Sequence, residues 1–212
     1  MEKKYKLTGE SIEVKGKTLY RIEALKDFGE IKKGDKGGFI ESENNLEHEG
    51  DAWVSDDACV YDNACVFDNA WVCGNARVYG ESLVYDNASV YGCASVSDNA
   101  RVCGNARVSD NARVCGNARV YGYTYVCGNT NVCGDAEIST YADYIVFKNW
   151  WSSGRYFTWT RSNNMWSVGC FYGTGDELVK KAYKDSSKSG RQYERIVKYV
   201  EETLKEEENG EH

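Results

Sequence analysis

Valine stands at positions 54, 60, 66, 72, 78, 84, 90, 96, 102, 108, 114, 120, 126 and 132, and Ile138 continues the series, giving fifteen six-residue units without a slip. An α-helix cannot bring residues six apart to one face, because it turns once in about 3.6 residues. In a short strand, by contrast, alternate residues share a face. Two places before each aliphatic residue stands a small one, from Ala52 and Ala58 through Ser82, Thr124 and Thr130 to Ala136. Small and aliphatic residues therefore both point inward, and the residue between them points out. A turn follows each unit, as in Gly104-Asn105 and Asp110-Asn111, built from residue types that tolerate positive φ. Three such bends close a triangle, and successive triangles stack as parallel strands about 4.8 Å apart. Fifteen units make five coils of 18 residues.

The stretch DNARVCGNARVSDNARVCGNARV at 98–120 resembles the hexapeptide repeat of left-handed β-helix proteins, in which an aliphatic residue is followed four places later by a small one. The resemblance covers residues 51–140 and implies the left hand; the period alone leaves a right-handed β-helix open. The expected fold is mainly β: a left-handed parallel β-helix of five triangular coils over 51–140, a small β-rich N-terminal cap over 1–50, and an α+β C-terminal module over 141–212. The cap is read from SIEVKG, KTLYRIEAL and KKGDKGGFI. The module is read from the strand-like YIVFKNWW, GRYFTWT and MWSVGCFY, with SNN at 162–164 as a hairpin turn. Two helices are expected after it, at 175–187 and 190–207, opened by capping boxes at Thr174/Glu177 and Ser189/Gln192. The second presents Tyr193, Ile196, Val197, Val200 and Leu204 at helical spacing. The GGFIESENNL entry, the unbroken repeat and the closing VGCFYGTGDEL are similar to proteins encoded by phages and prophages of gut bacteria. That resemblance implies an intracellular viral accessory protein and brings no established activity with it.

The net charge is −7, and residues 51–140 supply most of the excess, with 5 basic against 11 acidic residues. Such a balance disfavours nonspecific DNA binding and anionic membranes. The start, MEKKYKLTGESIEVKG, has no apolar core of a signal peptide, and no run approaches a membrane span, so a cytoplasmic location in the host cell is expected. Of the nine cysteines, Cys73, Cys103, Cys115, Cys127 and Cys133 share one repeat slot, which reads as packing by reduced thiols. Stacking sorts Arg101, Arg107, Arg113 and Arg119 onto three faces, so they form no phosphate-tracking stripe. In the early coils Trp53, Cys59, Cys65, Trp71 and Leu83 put apolar side chains in outward slots. Trp53, Trp71 and Leu83 are thus a candidate interface, covered either by the N-terminal segment or by another subunit of a homodimer or trimer.

Chemistry-bearing residues are sparse. The two histidines, His48 and His212, cannot supply the three ligands of a zinc site within one chain, and no metal or cofactor is expected. Cys170 lacks a histidine near it in sequence and reads as a buried structural thiol; Asp56, Asp57, Asp62 and Asp68 occupy turns, where a short carboxylate suits the local backbone. The candidate binding surface is Trp150, Trp151, Arg155, Phe157, Trp159, Arg161 and Trp166. Alternation puts Arg155, Phe157, Trp159 and Arg161 on one face, where aromatics and arginines stack on a nucleotide-like ligand or grip a host protein; the competing role is packing inside the module. The functional expectation is a non-catalytic cytoplasmic binding protein of phage or prophage origin, most concretely an inhibitor of a host defence factor. A CoA-dependent acyltransferase of the hexapeptide-repeat type and a self-assembling structural rod are the alternatives.

Overall fold

The computed structural model describes residues 2–210, and His212 lies outside the described residues. Fifteen two-residue strands, from β4 (Trp53–Val54) to β18 (Glu137–Ile138), wind into a three-sided parallel β-solenoid. The valines from Val54 to Val132, with Ile138, are all 0% exposed, as are the alanines beside them. Each side of the solenoid is one sheet, and its register stacks residues 18 apart. One outward column runs Trp53, Trp71, Ser89, Arg107, Tyr125; another Cys59, Arg77, Ser95, Arg113, Asn131; the third Cys65, Leu83, Arg101, Arg119, Glu137. Where Ser82, Thr124 and Thr130 replace the inward alanine, each hydroxyl donates to the carbonyl of the residue three back. The buried polar atom is thereby satisfied within the corner.

The corners explain the Gly/Asp alternation. Asp56, Asp62, Asp68, Asp86, Asp98 and Asp110 all have positive φ, as do Gly74, Gly80 and Gly92 in equivalent slots. Each of those aspartates accepts the backbone N–H of the residue one coil further on: Gly74, Gly80, Asp86, Gly104, Gly116 and Gly128 respectively. The carboxylates therefore staple adjacent coils, which a turn-local bond would not do. At Gly80 a Cβ would stand 2.8 Å from the Asp98 backbone nitrogen, close enough to require adjustment of the next corner.

The solenoid has about six turns, one more than the hexads count. β3 (Lys36–Ile40) lies parallel on the first regular coil, Phe39 opposite Cys59 and Ile40 opposite Val60, and Leu46 bridges to Val66. This turn is offset from the repeat, so the valine series does not reveal it. Gly37 and Gly38 let it seat: a Cβ on Gly38 would meet the Ala58 carbonyl oxygen at 2.6 Å. β1 (Tyr5–Val14) and β2 (Lys17–Ala24) form an antiparallel hairpin that extends the same sheet.

Polar groups close both ends of the stack. At the first, the buried Lys4 ammonium donates to the carbonyls of Glu49, Gly50 and Ala52, Tyr5 Oη to Leu46 O at 2.7 Å, and Asn45 Nδ2 to Asp62 O and Ala64 O. Burial pulls the Lys4 amine down to about 8, against the opposing pull of Asp51 and Glu47. At the last, Glu137 N–H donates to Ser162 Oγ at 2.7 Å and Tyr144 Oη to Tyr125 O at 2.8 Å. These groups satisfy backbone that a further strand would otherwise complete.

Cys115 and Cys133, one coil apart with Cα atoms 4.7 Å apart, are joined as a disulfide. The reading of uniformly reduced thiols is corrected at this pair, because the repeat stacks the two thiols within bonding reach. Cys73, Cys103 and Cys127 in the same slot are free, each facing a different residue type in the neighbouring coil.

The chain divides into two compact units: residues up to 144 with 160–163, and residues 145–159 with those from 164 onward. In the second, β19 (Tyr144–Lys148), β20 (Tyr156–Thr160), β21 (Met165–Val168) and β22 (Phe171–Gly173) form a sheet in chain order, followed by α1 (Gly175–Asp185) and α2 (Ser187–Glu208). The turn after β20 contains Asn164 at φ 51°, as the SNN motif predicts. Thr174 and Glu177 form the expected capping box of α1. The second box does not form: Ser186 caps α2 by accepting from Ser189 N–H, so the helix begins at Ser187 and Ser189 lies inside it.

Candidate functional site

The candidate surface read from the aromatic stretch is mostly core. Phe157 and Trp159 are each 1% exposed, Trp166 2% and Trp151 8%. Phe157 packs on Phe147, Trp166 and Tyr193, and Trp151 meets Tyr193 edge-on at 5.2 Å. Trp159 Nε1 donates to Asn164 Oδ1 at 2.8 Å. Both faces of β20 are covered, since Thr158 and Thr160 are buried too, so strand alternation leaves no aromatic face for a ligand to stack on. Arg161 is exposed, but its backbone N–H donates to Asp143 O and its Nε to Ala142 O, and it belongs to the solenoid unit. Of the seven residues, Trp150 (77% exposed) and Arg155 remain at the surface of the module.

Arg155 opens onto a cleft of about 410 Å³ within the module. Asn149, at 3% exposure, builds one wall. Its backbone N–H donates to Arg155 O and its carbonyl accepts from Gly154 N–H. Its side-chain oxygen accepts from Ser152 N–H and Oγ, and its Nδ2 donates to Tyr193 Oη at 3.2 Å. One amide thus ties the 149–155 loop to α2 and fixes where Arg155 leaves the backbone. The opposite wall is the junction of the helices. Ser186 ends α1, its N–H donating to Ala182 O, and starts α2. The helices approach so closely there that a Cβ on Gly190 would stand 2.3 Å from the Tyr183 ring. Val168, Phe171, Leu178 and Ala182 supply apolar lining, and Lys181 and Asp185 supply charge.

Among the described residues neither the Arg155 guanidinium nor the Lys181 ammonium has an ion-pair partner; Lys181 lies 5.8 Å from the Phe171 ring centroid. Burial pushes the Tyr193 hydroxyl above its ordinary range, and Asn149 and the Arg155 charge draw it partly back. The hydroxyl therefore stays protonated at neutral pH and has its proton to donate. With two cations and the Tyr193 hydroxyl against the single carboxylate of Asp185, the lining is net positive and can hold an anionic group. Sequence reading reached Arg155 and missed Lys181, Tyr193 and Asn149, because a sheet loop and two helices bring them together across more than forty positions.

The remaining candidates fall elsewhere. Trp53 is 1% exposed, closed over by Tyr5 and Phe28 of its own chain, so it offers no surface to a second subunit. Cys59 is covered likewise, in a cluster with Leu19, Phe39 and Tyr61. Trp71 and Leu83 are partly exposed. His48 stacks on Tyr5 with ring centroids 4.4 Å apart, and its Nδ1 accepts from Lys4 N–H. Cys170 is exposed in the β21–β22 turn, where the sequence predicts a buried thiol; a two-residue turn after Val168 carries it out of the sheet. No group of three or more metal-ligating side chains occurs among the described residues, and no helix is long and apolar enough to cross a membrane.

Residues 94–110, 100–115 and 112–128 match the YdcK beta solenoid repeat. With the three stacked parallel sheets, this match makes the chain a β-solenoid repeat protein. No curated protein matches the chain.

Proposed function

We propose that the protein is a non-catalytic binding protein whose C-terminal module captures an anionic group of a partner. The observation that carries this reading is the cleft in which Arg155 and Lys181 face the same space without a carboxylate paired to either. Two cations left unpaired beside apolar lining suit a ligand that brings its own negative charge and a hydrophobic body. Trp150, 77% exposed in the loop that Asn149 organises, adds an aromatic contact at the rim. The partner is a host protein presenting an acidic segment, or a nucleotide-like ligand. The hexapeptide character of the repeat and the GGFIESENNL and VGCFYGTGDEL segments support a phage or prophage origin and action in the host cytoplasm. Inhibition of a host defence factor is the most concrete form of that role.

Tagged wild-type protein and an Arg155→Gln/Lys181→Gln variant, both verified as folded by circular dichroism, are used to capture partners from host lysate. A specific partner retained by the wild type and lost by the variant supports the proposal. Equal recovery with both proteins, or no partner with either, rejects it.

A further inference from the structure

The solenoid wall carries a second concentration of unpaired positive charge. Lys15, Asn75, Arg77, Tyr79, Cys93, Ser95 and Arg113 line a recess of about 330 Å³. Arg77, Ser95 and Arg113 are consecutive members of one outward column. The two arginines therefore stand two coil spacings apart, about 9–10 Å, with only a serine between them. That short residue makes the gap, and its hydroxyl has no protein partner among the described residues. Lys15 reaches the recess from the β1–β2 turn, its ammonium 4.3 Å from the Tyr79 ring centroid. Asp62, which feels the Lys15 charge, pairs with Lys17, and Asp57 pairs with Arg21. Arg77 and Arg113 form no ion pair among the described residues. This arrangement stands in the most acidic stretch of the chain, where 51–140 holds 5 basic and 11 acidic residues.

We infer that the Lys15–Arg77–Ser95–Arg113 recess binds an oxyanion with two linked phosphoryl groups. Each guanidinium offers a planar fork to one phosphoryl, the serine hydroxyl donates to the atoms between them, and Lys15 supplies a point charge at the edge. A single phosphate engages both forks only when the two side chains lean together over Ser95. A diphosphate spans the gap with both arginines extended. The site is independent of the module cleft and lies wholly in the solenoid unit.

Titration calorimetry of the full chain with inorganic pyrophosphate and, separately, inorganic phosphate tests the inference. Pyrophosphate is expected to bind saturably and at least about tenfold more tightly than phosphate, and more weakly as salt rises. Arg77→Ser and Arg113→Ser use a residue that the same column already accepts, and each should weaken pyrophosphate binding by about tenfold or more. Arg155→Gln/Lys181→Gln should leave this binding unchanged, which separates the site from the module cleft. No saturable binding at millimolar pyrophosphate overturns the inference, as does binding that survives the Arg77→Ser/Arg113→Ser double variant. Equal affinity for phosphate and pyrophosphate overturns the two-phosphoryl assignment.

Discussion

The solenoid fills its interior with valine and alanine, whereas the C-terminal module fills its own with Trp151, Phe157, Trp159, Trp166 and Tyr193. In the first, every coil repeats the same small contacts with the coils above and below, and the backbone ladders run between residues 18 apart. In the second, a few large rings gather from a sheet and two helices, each making contacts that no other residue repeats. A repetitive core spreads its stability over many equivalent positions; an aromatic core concentrates it in a few. The solenoid therefore tolerates change in its outward columns while rejecting any change of register. The module is sensitive at single rings but leaves its loop free to shape a cleft.

Four tests sharpen or break that contrast. The largest effect is expected for Val96→Asp, which puts a carboxylate into a sealed, mainly aliphatic lumen and should cost about 5 kcal/mol or more. Urea unfolding followed by circular dichroism should show the solenoid transition lost or moved far to low denaturant; a shift under about 1 kcal/mol would mean that the lumen is not a sealed core. Next, Trp159→Ala in the module should cost about 3–5 kcal/mol, against about 2 kcal/mol for Val96→Ala. Equal losses in chemical denaturation would erase the distinction between a concentrated and a distributed core.

A smaller effect, about 1–2 kcal/mol, is expected for Asp98→Gly, which keeps the positive-φ corner, as glycine does in equivalent slots, but removes the acceptor for Gly116 N–H. Asp98→Asn retains an acceptor and should restore most of the loss; if both variants melt alike, the inter-coil staple contributes little. The smallest effect concerns acid. Hydrogen bonding to Lys17 holds the Asp62 carboxyl below its ordinary range. Its contribution to stability is therefore complete above the unfolded value of about 4 and fades as pH falls through the lower folded value. Replacing Lys17 with Met should lower stability slightly at neutral pH, where the contribution is complete, and leave it unchanged below the folded value, so that the acid limb of the stability–pH curve flattens; an unaltered curve would show the pair to be inert.

Much of the solenoid was legible because its determinants are local and repeated. The valine period fixed the strand faces, the small residue fixed the tight corner, and the count of 18 sorted the outward columns correctly. The extra first turn was hidden because Ile40 and Leu46 enter the stack out of phase with the repeat. Strand alternation misled at β20, since a two-sided covering buries Phe157 and Trp159 on one face and Thr158 on the other. At the sites, Arg155 was visible as a cation among aromatics, but its partners Lys181 and Tyr193 come from helices far along the chain. The 18-residue count alone puts Arg77 and Arg113 in one column, yet nothing in that column announces that Lys15 reaches it from the hairpin.

By itself, then, the sequence determined a three-sided parallel stack with an aliphatic lumen, because a strict six-residue period admits few other ways to hide its methyl groups. Tertiary structure alone decided which aromatics are core, which cysteines pair, and which cations stay unneutralised. Those outcomes depend on distances between segments remote in sequence, and side-chain chemistry carries no record of them until the chain has closed on itself.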